Sequence, residues 1–167
     1  QFEDISFVTS GTQIVSSGGQ TLSITGIQAN DLIMLSGTSD SQQANAPTGF
    51  TELEDDDGTA NPGAVVCYKI ASGTSESITL TNQGGTGANQ IIWSYQVFRN
   101  VSTSNPIDGS ISNHNSGSSR INLPSLTTTT DNCMIVVYGM IDDDGYDTLD
   151  LPTGYTRTVM EATGSGF

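Results

Sequence analysis

The side chains best equipped for chemistry in this sequence are carboxylates gathered in short runs. Glu54-Asp55-Asp56-Asp57-Gly58 and Asp142-Asp143-Asp144-Gly145, the second with Asp147 and Asp150 close by, offer hard oxygen donors on Gly-containing segments. That is the donor set Ca²⁺ takes, so Asp55, Asp56, Asp57, Asp142, Asp143 and Asp144 are the candidate metal ligands. Neither run has the EF-hand spacing or its bidentate Glu. A run of like charge also keeps a loop solvated and a strand edge soluble without any metal. No cofactor is expected, with Ca²⁺ the lesser alternative.

Other chemistry finds little support. His114 is the only histidine and lies in the polar stretch Ser112-Asn113-His114-Asn115-Ser116-Gly117. A general base needs an orienting partner and a nucleophile in reach, and there is neither a Gly-x-Ser-x-Gly elbow nor a His-Glu-x-x-His metal motif. Gly84-Gly85-Thr86-Gly87 lacks the lysine and helix of a phosphate loop. Paired acids serve glycosidases, but with 18 acidic residues such pairs arise by chance. The expectation is a chain that is not an enzyme. Trp93, Tyr95 and Phe98 form a possible sugar platform, although their alternation argues for core; Tyr146 and Phe167 are the exposed aromatic candidates.

The elements that must hold these residues are strands. Gly (19 of 167 residues), Ser, Thr and Asn dominate, and Lys69 is the single lysine. Small polar residues compete poorly for helix interiors and suit turns and exposed strand faces. Short apolar runs separated by Gly, Pro, Asn and Asp predict strands at Glu3–Thr9, Thr21–Thr25, Asp31–Gly37, Phe50–Leu53, Ala64–Ile70, Glu76–Thr81, Gln90–Arg99, Arg120–Leu123, Cys133–Gly139 and Tyr155–Met160. In Gln90–Arg99, Ile91, Trp93, Tyr95 and Val97 share one face, which predicts a half-buried strand. Arg99 is read as a partner for Asp108. Cys67 and Cys133 sit inside apolar runs and read as buried free thiols, with a disulfide as the lesser alternative.

The net charge of −14 repels phosphate backbones and anionic lipid, so neither nucleic acid nor a membrane is expected as a partner. No apolar run is long enough for a transmembrane helix. No signal peptide is visible, and a start at Gln1 rather than Met is taken to mean a processed or missing beginning.

An internal repeat organises the chain. Pro47-Thr48-Gly49-Phe50-Thr51 recurs as Pro152-Thr153-Gly154-Tyr155-Thr156. Pro restricts φ, Gly permits a positive φ, and the aromatic anchors the strand that follows. Pro47, Gly49, Phe50, Pro152, Gly154 and Tyr155 are therefore structural turn residues, and Trp93, Tyr95, Cys67 and Cys133 core residues. Asp31 before Leu32–Leu35 corresponds in this reading to Asp131 before Cys133–Val137. The units span residues 20–108 and 120–167 of one domain, 1–167. The second unit stops early, lacking roughly 40 residues if the units are alike. The expectation is a unit either truncated or completed by a partner, since an uncompleted sheet leaves an edge open to pairing.

Asp31-Leu32-Ile33-Met34-Leu35, Ala46-Pro47-Thr48-Gly49-Phe50-Thr51, Val66-Cys67-Tyr68-Lys69-Ile70-Ala71, Trp93 through Phe98-Arg99-Asn100-Val101, and Asn105-Pro106-Ile107-Asp108 occur in a familiar order. Over Thr21 to Thr156 the chain resembles the duplicated, Gly/Ser/Thr-rich β-sandwich module of phage virion proteins and bacterial surface proteins. It departs at Phe50, where that pattern often has Trp, and at Asn100, where Gly is usual. The resemblance implies a non-catalytic structural or adhesive role. The expected fold is all-β, an antiparallel and jelly-roll-like β-sandwich built from an internal duplication. The expected function is a virion structural protein: a capsid decoration protein or a head or tail fibre domain, on the virion exterior or extracellular, packing against copies of itself or other virion proteins. The alternatives are a carbohydrate-binding adhesion module that takes a surface glycan, and a subunit of an extracellular filament.

Overall fold

The computed structural model describes residues 3–16, 19–39, 44–56, 63–81, 90–110, 112, 124–139, 151 and 153–158. The described chain is all-β and antiparallel. Its strands are β1 (Ser6–Val15), β2 (Gly19–Thr25), β3 (Leu32–Ser39), β4 (Thr51–Asp56), β5 (Gly63–Ile70), β6 (Ser75–Thr81) and β7 (Ile91–Arg99). A five-stranded sheet runs in the order β1-β7-β3-β5-β4, and a two-stranded sheet pairs β2 with β6.

The period-two pattern decides which side each strand buries. Along β6, Glu76, Ile78 and Leu80 are buried while Ser75, Ser77, Thr79 and Thr81 are exposed. Leu22 of β2 lies opposite Ile78, and Ile24 opposite Glu76. The buried side chains of this small sheet meet Ile33, Leu35, Val65, Cys67, Ile91, Trp93 and Val97 from the large one, forming the main core. Each fully buried aliphatic there contributes about 1.5–3 kcal/mol through removal of apolar surface from water.

β7 and β3 are the central strands, and their aromatics need room. Gly37 pairs with Trp93, and Gly11 with Tyr95. A Cβ at Gly37 would come within 2.8 Å of the Trp93 ring, and one at Gly11 within 2.8 Å of the Tyr95 ring. The two rings thus lie over glycines on the neighbouring strands. This explains why β1 runs on through Gly11 to Val15, well past the expected end at Thr9: here Gly is a seat for an aromatic rather than a strand breaker.

Turns carry the positive-φ residues. In Pro47–Phe50 the Phe50 amide donates to the Pro47 carbonyl at 3.0 Å, with Gly49 at φ 88°. This is the arrangement of a type II turn, with its positive φ at the third residue. Asn100 has φ 64°, which accounts for Asn at a position where the resembled pattern has Gly: both tolerate the left-handed region.

Several expectations change. β7 is not half-buried: Ile92, Gln96 and Phe98 on its second face are buried as well, because Val136 and Tyr138 pack over that face. Arg99 pairs with Asp31, not Asp108. Cys67 is a buried free thiol, but Cys133, also free, is only partly covered. Cys133–Gly139 has no strand pairing among the described residues, and neither do residues 155–158. Val159, Met160 and the run Arg120–Leu123 lie outside the described residues.

Candidate functional site

One ion pair, with its carboxylate buried and its guanidinium partly exposed, ties the end of β7 to the entry of β3. Asp31, 2 % exposed, accepts from Arg99 Nε at 2.9 Å and Nη2 at 2.8 Å. It also accepts from the Gln28 amide at 2.8 Å, closing the turn Gln28–Asp31 in which Asn30 has φ 74°. Burial alone would raise the Asp31 pKa, but the Arg99 guanidinium and the Gln28 N–H together hold it below the ordinary carboxylate value. A second pair, Lys69 to Glu76 at 2.6 Å, joins β5 to β6, and Glu76 also accepts from the Ser72 amide and hydroxyl. These two ion pairs occupy Lys69 and Arg99 in holding the fold together.

Asp108 has a related task ahead of the run Cys133–Gly139. Its carboxylate accepts from the Thr129 hydroxyl and from the Thr129 and Thr130 amides, which lowers its pKa. This fixes the start of the run Cys133–Gly139. Just before that run Asn132 adopts φ 60°, as Asn30 does before β3. Gly154 likewise has φ 93°, matching Gly49. The backbone therefore matches Asn30 with Asn132 and places Cys133, rather than Asp131, at the position of Asp31. The Cys133 thiol lies 3.3 Å from the Thr130 carbonyl and 3.7 Å from Asp108 Oδ2.

The run lies across the outer face of the large sheet. Val136 and Tyr138 pack on a second apolar cluster around Leu32, Met34 and Phe98. The Tyr138 hydroxyl donates to Gln96 Oε1, satisfying an amide that is 3 % exposed. Burial pushes the Tyr138 hydroxyl pKa up, so it stays a donor. The Ser10 hydroxyl of edge strand β1 reaches the Thr158 carbonyl at 2.7 Å. The other side of the run faces solvent, Ile135 50 % and Val137 40 % exposed; Met134, on the Val136 side, is 41 % exposed, and Leu126, Leu151 and Tyr155 are exposed too. Isolated exposed hydrophobes are ordinary, but a group of them along one extended segment is the usual mark of an interaction surface.

The expected site residues fall out unevenly. Asp55 and Asp56 close β4, while Asp57, Asp142, Asp143 and Asp144 lie outside the described residues. Among the described residues, no group of His, Cys, Asp and Glu converges as a metal site. His114, Tyr146, Phe167 and Pro152 are also outside the described residues. Trp93 and Cys67 are fully buried, and Tyr95 packs against the core from its margin. Pro47, Gly49 and Phe50 form the expected turn; in the second, Gly154 has the expected φ but Tyr155 is exposed.

A groove of about 450 Å³ opens beside β6, lined by Ala46, Pro47, Thr48, Phe50, Lys69, Ser77, Ile78, Thr79 and Thr81. Sequence reasoning had no signal for it, since it joins a turn to a strand face across two sheets. Comparison with protein families, curated proteins and solved structures found no match for the chain.

Proposed function

We propose that this chain is a structural assembly module of the virion kind its sequence resembles, a capsid decoration protein or a domain of a head or tail fibre. The observation that carries this reading is the run Cys133–Gly139, which packs by Val136 and Tyr138 on a finished sheet and turns Ile135 and Val137 to solvent. A chain acting alone gains nothing from an apolar segment left half bare; a chain that packs against another does. The net charge of −14 keeps such a surface soluble before assembly. Immunogold labelling of virion particles purified from the source culture, with an antibody against this chain, tests the reading. Label on the particle exterior is expected; label confined to the cell envelope would overturn it.

The groove beside β6 supports a second reading, a glycan-binding adhesion module. The Phe50 ring and Pro47 offer apolar surface, and the Thr48, Ser77, Thr79 and Thr81 hydroxyls offer hydrogen bonds, which is the mixture a neutral sugar needs. A glycan array with a defined hit that disappears in Thr79→Trp, a substitution at an exposed groove residue, would favour this reading.

A further inference from the structure

We infer that the 133–139 run is the seat of an extended strand supplied by a different protein of basic character, which adds alongside the run and flanks its exposed side chains. This inference rests on the assembly reading above and names its partner. The turn residues Asn30 and Asn132 share a positive φ, as do Gly49 and Gly154. Counting on from the Asn pair, Ile135 and Val137 take the positions of Ile33 and Leu35 of β3, and Val136 that of Met34. In β3, Ile33 and Leu35 are 0 % exposed. They owe that to strands on both flanks and to the small sheet over them. Ile135 and Val137 carry the same pattern and are 50 % and 40 % exposed.

Among the described residues no strand pairs with the run; the template for the neighbour is β5, which runs antiparallel to β3 with Cys67 opposite Leu35 and Lys69 opposite Ile33. Strand addition of this kind takes affinity from backbone hydrogen bonds and specificity from alternate side chains. The seat is continuous with the packing of Val136 and Tyr138 on the large sheet, so its inner side is already built. Charge selects the source. A second copy would bring another −14 and only four basic residues, of which Lys69 and Arg99 are already engaged in ion pairs. A basic strand meets an attractive field instead.

The test uses the whole chain and two synthetic peptides with the sequence of Gly63–Ala71, Cys67 replaced by Ala, one flanked by lysines and one by glutamates. The lysine-flanked peptide should bind and slow hydrogen exchange at the amides of residues 133–139. The glutamate-flanked peptide should bind about tenfold more weakly at low ionic strength, with the gap closing as salt screens the field. Ile135→Asp/Val137→Asp should abolish binding while the fluorescence of Trp93, buried in the main core, stays unchanged. Three results would overturn the inference: no binding of either peptide, equal binding to the double variant, or self-association of the chain that the double variant abolishes, which would make the occupant a second copy. If particles are labelled but neither peptide binds, the assembly reading stands and this inference falls.

Discussion

Asp31 illustrates how much one carboxylate can organise. It closes its own turn through the Gln28 amide, anchors Arg99, and through its backbone carbonyl receives the Ala71 amide at 2.8 Å. Replacing it with Asn removes the buried charge of the pair and weakens its contacts. We expect Asp31→Asn to lower stability at neutral pH by roughly 2–3 kcal/mol in urea unfolding. Asp31 and Glu76 both have pKa values below their ordinary ones. Such groups stabilise the fold above their unfolded pKa, near 3.9 for Asp and 4.3 for Glu, and that contribution is lost as pH falls through the lower folded value. The melting temperature should therefore hold steady from neutral pH to about 5 and fall below about 4. The fall should be shallower in Asp31→Asn. The cysteines differ in a way thiol titration can read. Burial, with help from the Glu52 charge, pushes the Cys67 thiol up to about 12, whereas Cys133 is partly exposed. In the native chain a disulfide reagent at pH 8 should modify Cys133 and reach Cys67 only after unfolding.

At the scale of elements, β7 explains the packing of the large sheet. Trp93 and Tyr95 lie over glycines of the two flanking strands, so a methyl group added there tests the fit directly. Trp93 is fully buried and has nowhere to move; Tyr95 is half-buried and can tilt. Gly37→Ala should therefore cost about 1–3 kcal/mol, and Gly11→Ala clearly less, as compared by denaturant midpoints. The strands themselves were largely legible, because alternation in β6 and continuous apolar runs in β3 follow from one-sided and two-sided burial. The extension of β1 was not, because a glycine's meaning depends on what lies opposite it, and that residue is far away in sequence. The burial of Gln96 and Phe98 was hidden for the same reason: the residues that cover them, Val136 and Tyr138, come from a distant part of the chain.

At the scale of the whole molecule, charge and exposed apolar surface oppose each other. A net charge of −14 destabilises a compact chain through self-repulsion and hinders association of copies. Raising ionic strength from about 0.05 to 0.5 M should raise the melting temperature, because the screening length shortens severalfold over that range. A chelator should leave it unchanged if the acidic runs serve only to solvate loops; a fall on chelator addition, reversed by Ca²⁺, would instead assign them to a metal.

The amino-acid sequence by itself determined the all-β class, most strand positions, the Pro-Thr-Gly turns and the core role of Trp93. All of these follow from local chemistry: side-chain period, turn residues with a positive φ, and small polar residues that disfavour helix. Tertiary structure alone decided that Arg99 binds Asp31, that Asn132 rather than Asp131 marks the start of the second run, and that this run covers one face of the large sheet and leaves its own outer face bare. These depend on contacts between residues far apart in the chain, which local pattern does not encode.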